Sequence, residues 1–322
     1  MTALTDVDLD AGFRHWIARI EEISPTLPDL ASPDPVLLRA AQLALSDLLA
    51  VECTLPVPDG VDVQDFEIDG PGGTLVMRRY RRSSQTGAAP TQLWLHGGGF
   101  FAGAMVEVLN DRLCARRALD SGVQVVSLEY RLAPEHPYPA PVLDAVAALR
   151  ALAADPERFG VDARRLGIGG NSAGAAIAAS TALRLADTGG TPLAHLDLEV
   201  PPASLPPVGP SATEYAVGFG LDSIEAIMTM YLGPHGAADG YASPLDALAV
   251  SGLPPTLVMA AEHDPLRDSG VRFAERLEAA GVPVVPLVGA GHLHGTPGQT
   301  AVSALARDWQ QEHARQLALA YA

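Results

Sequence analysis

The sequence contains no lysine: all 21 basic residues are arginine. That absence removes several chemistries. A P-loop needs a lysine on the phosphates, a pyridoxal enzyme a Schiff-base lysine, and a penicillin-recognising serine enzyme the lysine of Ser-x-x-Lys. Cysteine is nearly absent too. The two present, Cys53 and Cys114, are too few for a disulfide framework and form no Cys-x-x-Cys pair for zinc or redox work, so both are read as buried thiols. Positive charge is scarce: 21 basic against 38 acidic side chains give a formal net charge of −17, which disfavours nucleic acid as a partner. No stretch approaches the roughly 20 uninterrupted apolar residues of a membrane span. The first ten residues are acidic and lack the basic and apolar regions of a secretory signal, so a cytoplasmic protein is expected.

What is present suffices for a large core. The chain is 48% hydrophobic and only 18% charged over 322 residues, the size of one large α/β domain or two smaller ones, and disorder is excluded as the main state. Apolar residues recur at helical spacing from Phe13 to Ile23 and from Asp34 to Val51, the second run starting behind a cap at Ser32-Pro33. Val61 to Asp69 and Thr74 to Arg82 alternate around Asp69-Gly70-Pro71-Gly72-Gly73, predicting an antiparallel hairpin. Short apolar strands then alternate with helices: Gln92 to Leu95, Gln124 to Leu128, Leu166 to Gly169, Leu196 to Val200, Thr256 to Ala261 and Val284 to Val288. That rhythm predicts a mostly parallel sheet covered on both faces. It breaks between Pro201 and Gly220, where prolines at 201, 202, 206, 207 and 210 oppose regular structure before a helix near Asp222 to Tyr231. The break reads as an insertion over the carboxyl edge of the sheet, where open α/β sheets bind ligands.

Gly170-Asn171-Ser172-Ala173-Gly174 follows the strand Leu166 to Gly169 and opens an Ala-rich helix from Ala173 to Ala186. This is Gly-x-Ser-x-Gly in a strand-turn-helix context, the setting of an activated serine. A serine on so sharp a turn has strained backbone angles, and side chains at Gly170 or Gly174 would collide with neighbouring backbone. The helix N-terminus behind it favours negative charge near Ser172. A dinucleotide reading of Gly167-Ile168-Gly169-Gly170 fails, because the Gly-x-Gly-x-x-Gly spacing places Ser172 at the third glycine. His96-Gly97-Gly98-Gly99 comes directly after the strand Gln92 to Leu95, where the second half of an oxyanion hole belongs. Glycines there let amides approach a substrate oxygen.

HGGG at 96–99, EYRLAPEHPYPAP at 129–141, GNSAG at 170–174, DPLRDSG at 264–270 and HG at 294–295 together resemble the hormone-sensitive-lipase-like family of α/β-hydrolase esterases. The match runs over most of the chain from Leu93 onward. It implies an α/β-hydrolase fold, a mostly parallel sheet with helices on both faces, and a helical cap of residues 1–57 and 201–235 on a catalytic domain of 58–200 and 236–322. It implies a serine carboxylesterase acting through Ser172, Asp264 and His294, with Gly98, Gly99 and Ala173 as the oxyanion hole. Small-molecule esters with short to medium acyl chains are the expected substrates, with neither metal nor organic cofactor. A lactone, an acetylated metabolite or an amide is the alternative substrate, and a non-catalytic small-molecule-binding protein the alternative function.

Within these motifs some choices stay open. Glu262 and Asp268 flank Asp264 as alternative acids, the latter a candidate helix cap. Gly291-His292-Leu293-His294-Gly295 offers two histidines, of which the family's His-Gly pair selects His294. A metal site of His292, His294, His263 and Asp264 would leave the serine turn without purpose. Arg131 and Glu135 are spaced to pair locally; His136 is read as structural, and His195, His235, His313 and the Arg78 to Arg82 cluster as surface features. A sheet edge near Val284 to Val288 is where a homodimer would form. Two positions depart from the family pattern: Leu198-Glu199-Val200-Pro201-Pro202 stands where relatives often have Tyr-Pro, and Asn171 replaces the more usual Asp or Thr.

Overall fold

The computed structural model describes residues 7–216, 224–236 and 240–322. Two helices come first, α1 (Ala11–Ile23) and α2 (Pro35–Cys53). Asp34 caps α2 by accepting from the Val36 amide at 2.9 Å, with Pro35 in the first turn. The cap therefore falls two residues beyond Ser32. A carboxylate complements the helix N-terminus, and a proline at the first position sacrifices no amide bond.

The remaining elements are β1 (Val61–Gly70), β2 (Gly73–Arg82), β3 (Ala89–Leu95), α3 (Val108–Ser121), β4 (Gln124–Leu128), α4 (Ala140–Ala154), α5 (Pro156–Phe159), β5 (Val161–Asn171) and α6 (Ala173–Thr188). They continue as β6 (Leu196–Glu199), α7 (Ser211–Glu214), α8 (Ile224–Leu232), β7 (Thr256–His263), α9 (Arg267–Ala279), β8 (Val284–Leu293) and α10 (Ala304–Ala320). The strands form one sheet of eight in the order β1-β2-β4-β3-β5-β6-β7-β8. The predicted hairpin pairs Val61 with Arg82 through Gly70 with Gly73, and β2 lies antiparallel to β4. All pairings from β4 through β8 are parallel.

Strand alternation divides the core between two faces. Leu93, Leu95, Val126, Ile168, Leu198 and Val258 join buried side chains of α4, α6 and α9 on one face. Trp94 and Val125 meet Cys114 and Ala118 of α3 on the other, where Leu257 and Met259 pack with Trp309 of α10. Both cysteines are buried free thiols, as the composition implied. A parallel sheet puts all its carboxyl ends on one side. The residues just past β3, β5, β7 and β8 are His96, Ser172, Asp264 and His294.

Several long side chains are placed otherwise than their sequence neighbourhood suggests. Arg131 does not pair with Glu135; it makes a bidentate bond to Asp144 of α4 at 2.7 and 2.9 Å, because that carboxylate is fully buried and needs a cation. Glu135 instead receives Arg39 of α2 at 2.6 Å. His195 and His313 are buried rather than on the surface, as is Arg81. Arg78 lies between Asp65 and Asp111, within 2.7 and 3.2 Å. The Pro-rich break holds the single helical turn α7, and α8 covers most of the predicted helix near 222–231. The first two residues of that prediction and the side chain of His235 lie outside the described residues.

Candidate active site

Ser172 stands between β5 and α6 with φ +52° and ψ −119°, a conformation that side-chain-bearing residues rarely adopt. The turn is braced by main-chain bonds, the Ser172 amide donating to Glu199 O at 2.8 Å and the Ala175 amide to Ser172 O at 2.9 Å. It closes only because its flanks are glycine: a Cβ on Gly170 would lie 2.3 Å from the Gly174 carbonyl carbon, and one on Gly174 would lie 2.1 Å from Leu95 O. The collisions anticipated from the motif are therefore real.

His294 follows the end of β8 and sits between two partners. Its Nδ1 is 2.8 Å from Asp264 Oδ2, and its Nε2 is 2.9 Å from Ser172 Oγ. A carboxylate only accepts, so Nδ1–H donates to Asp264, which leaves Nε2 to accept the Ser172 hydroxyl proton. Asp264 is fully buried, and its other oxygen accepts the Leu266 amide at 2.8 Å. Burial disfavours the imidazolium of His294, yet the charge and hydrogen bond of Asp264, helped by the charge of Glu199, hold its pKa above the ordinary 6.5. The alternatives are occupied elsewhere. His292 turns inward toward Trp309, ring centroids 4.6 Å apart, and burial pulls its pKa down to about 4. Glu262 accepts the Gly291 amide at 2.6 Å, and Asp268 accepts the Ser211 amide at 2.8 Å.

On the opposite side of the turn, His96-Gly97-Gly98-Gly99 leaves β3. Gly98 has φ +116°, and a Cβ there would lie 2.1 Å from Ala102 O. His96 is buried and held neutral, burial pulling its pKa down to about 4. Its Nδ1–H donates to Gly97 O at 2.8 Å, and Tyr130, stacked on its ring at 4.2 Å, donates through Oη to His96 O at 2.7 Å. Among the described residues the amides of Gly98, Gly99 and Ala173 donate to no backbone acceptor. Three unused donors at a helix start and a glycine turn can receive an oxyanion.

The proposed metal alternative is not assembled. Among the described residues, the group of His, Cys, Asp and Glu ligand atoms gathered within 4.8 Å is His15, Glu52 and Cys53 on α1 and α2, and Arg19 already occupies Glu52 at 2.9 Å.

Comparisons with known proteins place the chain in a family. The model of an alpha/beta hydrolase fold family matches residues 92–297. Esterase LipI of Mycobacterium tuberculosis is 38% identical over 258 residues, 77% of this chain and 78% of that protein. The chain belongs to the hormone-sensitive-lipase-like family of α/β-hydrolase esterases. Ethyl acetate hydrolase of Pseudomonas putida is another relative, 35% identical over 229 residues, 69% of this chain and 71% of that protein. The solved ester-hydrolase EH1AB1 from the metagenome of Lake Arreo superposes with a TM-score of 0.86 at 32% identity, covering 97% of this chain and 98% of that one. This esterase is a carboxylic ester hydrolase acting on small-molecule esters. None of its described helices is long and apolar enough to cross a membrane.

Sequence reasoning missed two residues that hold the loops around Ser172. Arg39 of α2 donates to Phe101 O at 2.6 Å and Ala133 O at 2.8 Å, tying the first helical pair to the glycine loop. Glu199 sits beneath the serine turn with its carboxylate fully buried. The helical spacing of α2 carries no sign of the first. The second was flagged only as a departure from the family pattern.

Proposed function

We propose that this esterase works by two-step acyl transfer through Ser172, His294 and Asp264. The observation that carries the reading is the continuous hydrogen-bonded line Ser172 Oγ, His294 Nε2, His294 Nδ1, Asp264 Oδ2, with links of 2.9 and 2.8 Å. Ser172 Oγ attacks the ester carbonyl as its proton passes to His294 Nε2. The carbonyl oxygen, now an anion, is received by the amides of Gly98, Gly99 and Ala173. The alkoxide leaves with the proton from His294, and water repeats the sequence on the acyl-enzyme to return Ser172. Asp264 holds the tautomer and stabilises the transient imidazolium. Every proton and electron pair in this scheme is carried by these groups, substrate and water.

Short to medium acyl chains fit the space beside the turn. A cavity of about 230 Å³ borders Gly97, Gly98 and Asn171, the last next to Ser172 in the chain, and is walled by Leu43 of α2, Trp94 and Leu109 together with Gln42, Ser46 and Glu107. A cavity of about 150 Å³ is enough for benzene, so this volume holds a few carbons rather than a fatty chain. The relative named ethyl acetate hydrolase points the same way. Residues 1–57 and 201–235 act as the cap: Leu38 of α2 and Ile227 and Met230 of α8 pack on Phe101 and Ala102, beside the glycine loop.

The test is hydrolysis of p-nitrophenyl esters from acetyl to palmitoyl by the wild type and Ser172→Ala. The wild type should prefer the short esters, with Ser172→Ala slower by 10³-fold or more, on the order seen when a triad nucleophile is removed. Equal rates in the two proteins would refute the assignment.

A further inference from the structure

Directly behind the serine turn lies a buried charged cluster that the acyl-transfer scheme does not use. Glu199 ends β6 with its side chain fully buried, and it accepts from Arg117 of α3 at 2.6 Å. Trp309 Nε1 and Gln310 Nε2 of α10 donate to its other oxygen at 2.7 and 3.0 Å. His313 Nδ1 lies 3.5 Å away and bonds Asp197 through Nε2 at 2.7 Å. Burying four ionisable groups costs more solvation than an apolar packing of the same volume would, so such a cluster is weak evidence for stability.

Its position relative to the site is specific. The Glu199 main-chain oxygen accepts the Ser172 amide at 2.8 Å, and its carboxylate accepts Asn171 Nδ2 at 3.1 Å. One residue thus holds both Ser172 and the residue before it. The Asn171 amide oxygen faces the glycine loop: a Cβ on Gly97 would stand 2.8 Å from it. This bond joins the two departures from the family pattern, Asn171 and the segment Leu198 to Pro202 that contains Glu199. Asparagine at 171 can donate to Glu199, whereas an aspartate would set two carboxylates against each other.

We propose that Glu199 is a positioning residue for the hydrolysis: through Asn171 it fixes the turn carrying Ser172, and its buried negative charge supports His294 while that imidazole holds the serine proton. The inference rests on the Ser172–His294 reading above. Burial opposes the charge of Glu199, but Arg117 and its other donors keep its pKa below the ordinary carboxylate value. Its charge is one of the influences that raise His294. The charged groups facing the pair are Asp264 at the end of β7, Asp197 on β6, Arg117 from α3 and His313 from α10. Arg117 and His313 offset much of the cluster's charge, and Glu199 is the end that meets the turn.

The experiment is the pH profile of kcat/KM on p-nitrophenyl butyrate for the wild type, Glu199→Gln, Glu199→Asp and Asn171→Ala, with Ser172→Ala as the control. Glu199→Gln should move the acid limb down by about half a pH unit, since a neutral amide no longer favours the imidazolium. Glu199→Asp should keep the limb at its wild-type pH while kcat falls, which separates charge from contact. Asn171→Ala should lower kcat about tenfold with KM nearly unchanged and the limb unmoved, the mark of a misplaced nucleophile. A wild-type acid limb in folded Glu199→Gln, or wild-type kcat in Asn171→Ala, overturns the proposal. Asn171→Ala leaves the Arg117 pair intact, so it decides the matter even if Glu199→Gln fails to fold. Activity retained by Ser172→Ala would instead refute the serine reading, independently of Glu199.

Discussion

The strained backbone of Ser172 and the pair of histidines on one loop are where single residues decide the chemistry. His294→Gln is expected to abolish turnover, whereas His292→Phe should retain most of it, because the His292 ring packs beside Trp309 and bonds Thr296 rather than Ser172; esterase rates of the two variants check this. With the His294 pKa raised, the base is lost as pH falls through a value above 6.5, so the acid limb of kcat/KM should lie above 6.5. Asp264→Asn should lower kcat by roughly 10³–10⁴-fold, since an amide can hold the wrong tautomer. The motif identified Ser172 and its glycines unaided, because a turn this tight admits few residue types. The choice of His294 over His292 came instead from the His-Gly pair of the family pattern. The two histidines lie two apart, so a strand would place both on one face, and β8 ends at Leu293 between them.

At the scale of elements, the glycine loop is clamped from two directions. Arg39 reaches it from α2, and Tyr231 of α8 stacks on Phe100 at 3.8 Å while its carbonyl accepts the Tyr138 amide at 2.7 Å. The elements that cover the site thus also shape the donors. Arg39→Ala is expected to cost about 1–2 kcal/mol in kcat/KM, a loss of roughly 5- to 30-fold, by freeing Phe101 and Ala133 carbonyls and Glu135 together. Steady-state kinetics alongside a melting curve would separate this from simple unfolding. The strand and helix order was legible because parallel strands buried on both faces read as continuous apolar runs. The partners of Arg39 and Arg131 were not legible. A long side chain pairs with whatever the fold brings near: Arg131 meets Asp144 of α4, and Glu135 is taken by Arg39 of α2.

For the whole molecule, buried histidines contribute to the acid stability. His96 and His292 both have pKa values near 4 in the folded chain because burial penalises their charge. Unfolding restores the ordinary 6.5, so the unfolded chain binds their protons first as pH falls. Their contribution is fully present above 6.5 and lost between 6.5 and about 4, roughly 3 kcal/mol for each ring. His294 and His313 are shifted upward and act in the other sense, their contribution being complete below 6.5 and lost as pH rises past their folded values. Lowering the pH from 7 to 4.5 should cost His292→Phe less stability in urea unfolding than it costs the wild type. β8 forms an edge of the sheet with Val288 about half exposed. If two copies join along this edge, Val288→Arg will halve the mass measured by light scattering.

By itself the sequence determined the parallel α/β sheet, the glycine-flanked serine, the glycine turn opposite it and the set of acids and histidines from which the site is drawn. Those features are local: each follows from backbone sterics or from apolar periodicity within a few residues. Only the tertiary structure set the distances at which His294 and Asp264, already selected by the family motifs, meet Ser172, and placed Arg39 on the glycine loop. It alone gathered Arg117, Asp197, Glu199 and His313 into one buried cluster behind the nucleophile. Their stabilisation depends on distance and on exclusion of water, which four residues scattered from 117 to 313 acquire only when α3, β6 and α10 pack together.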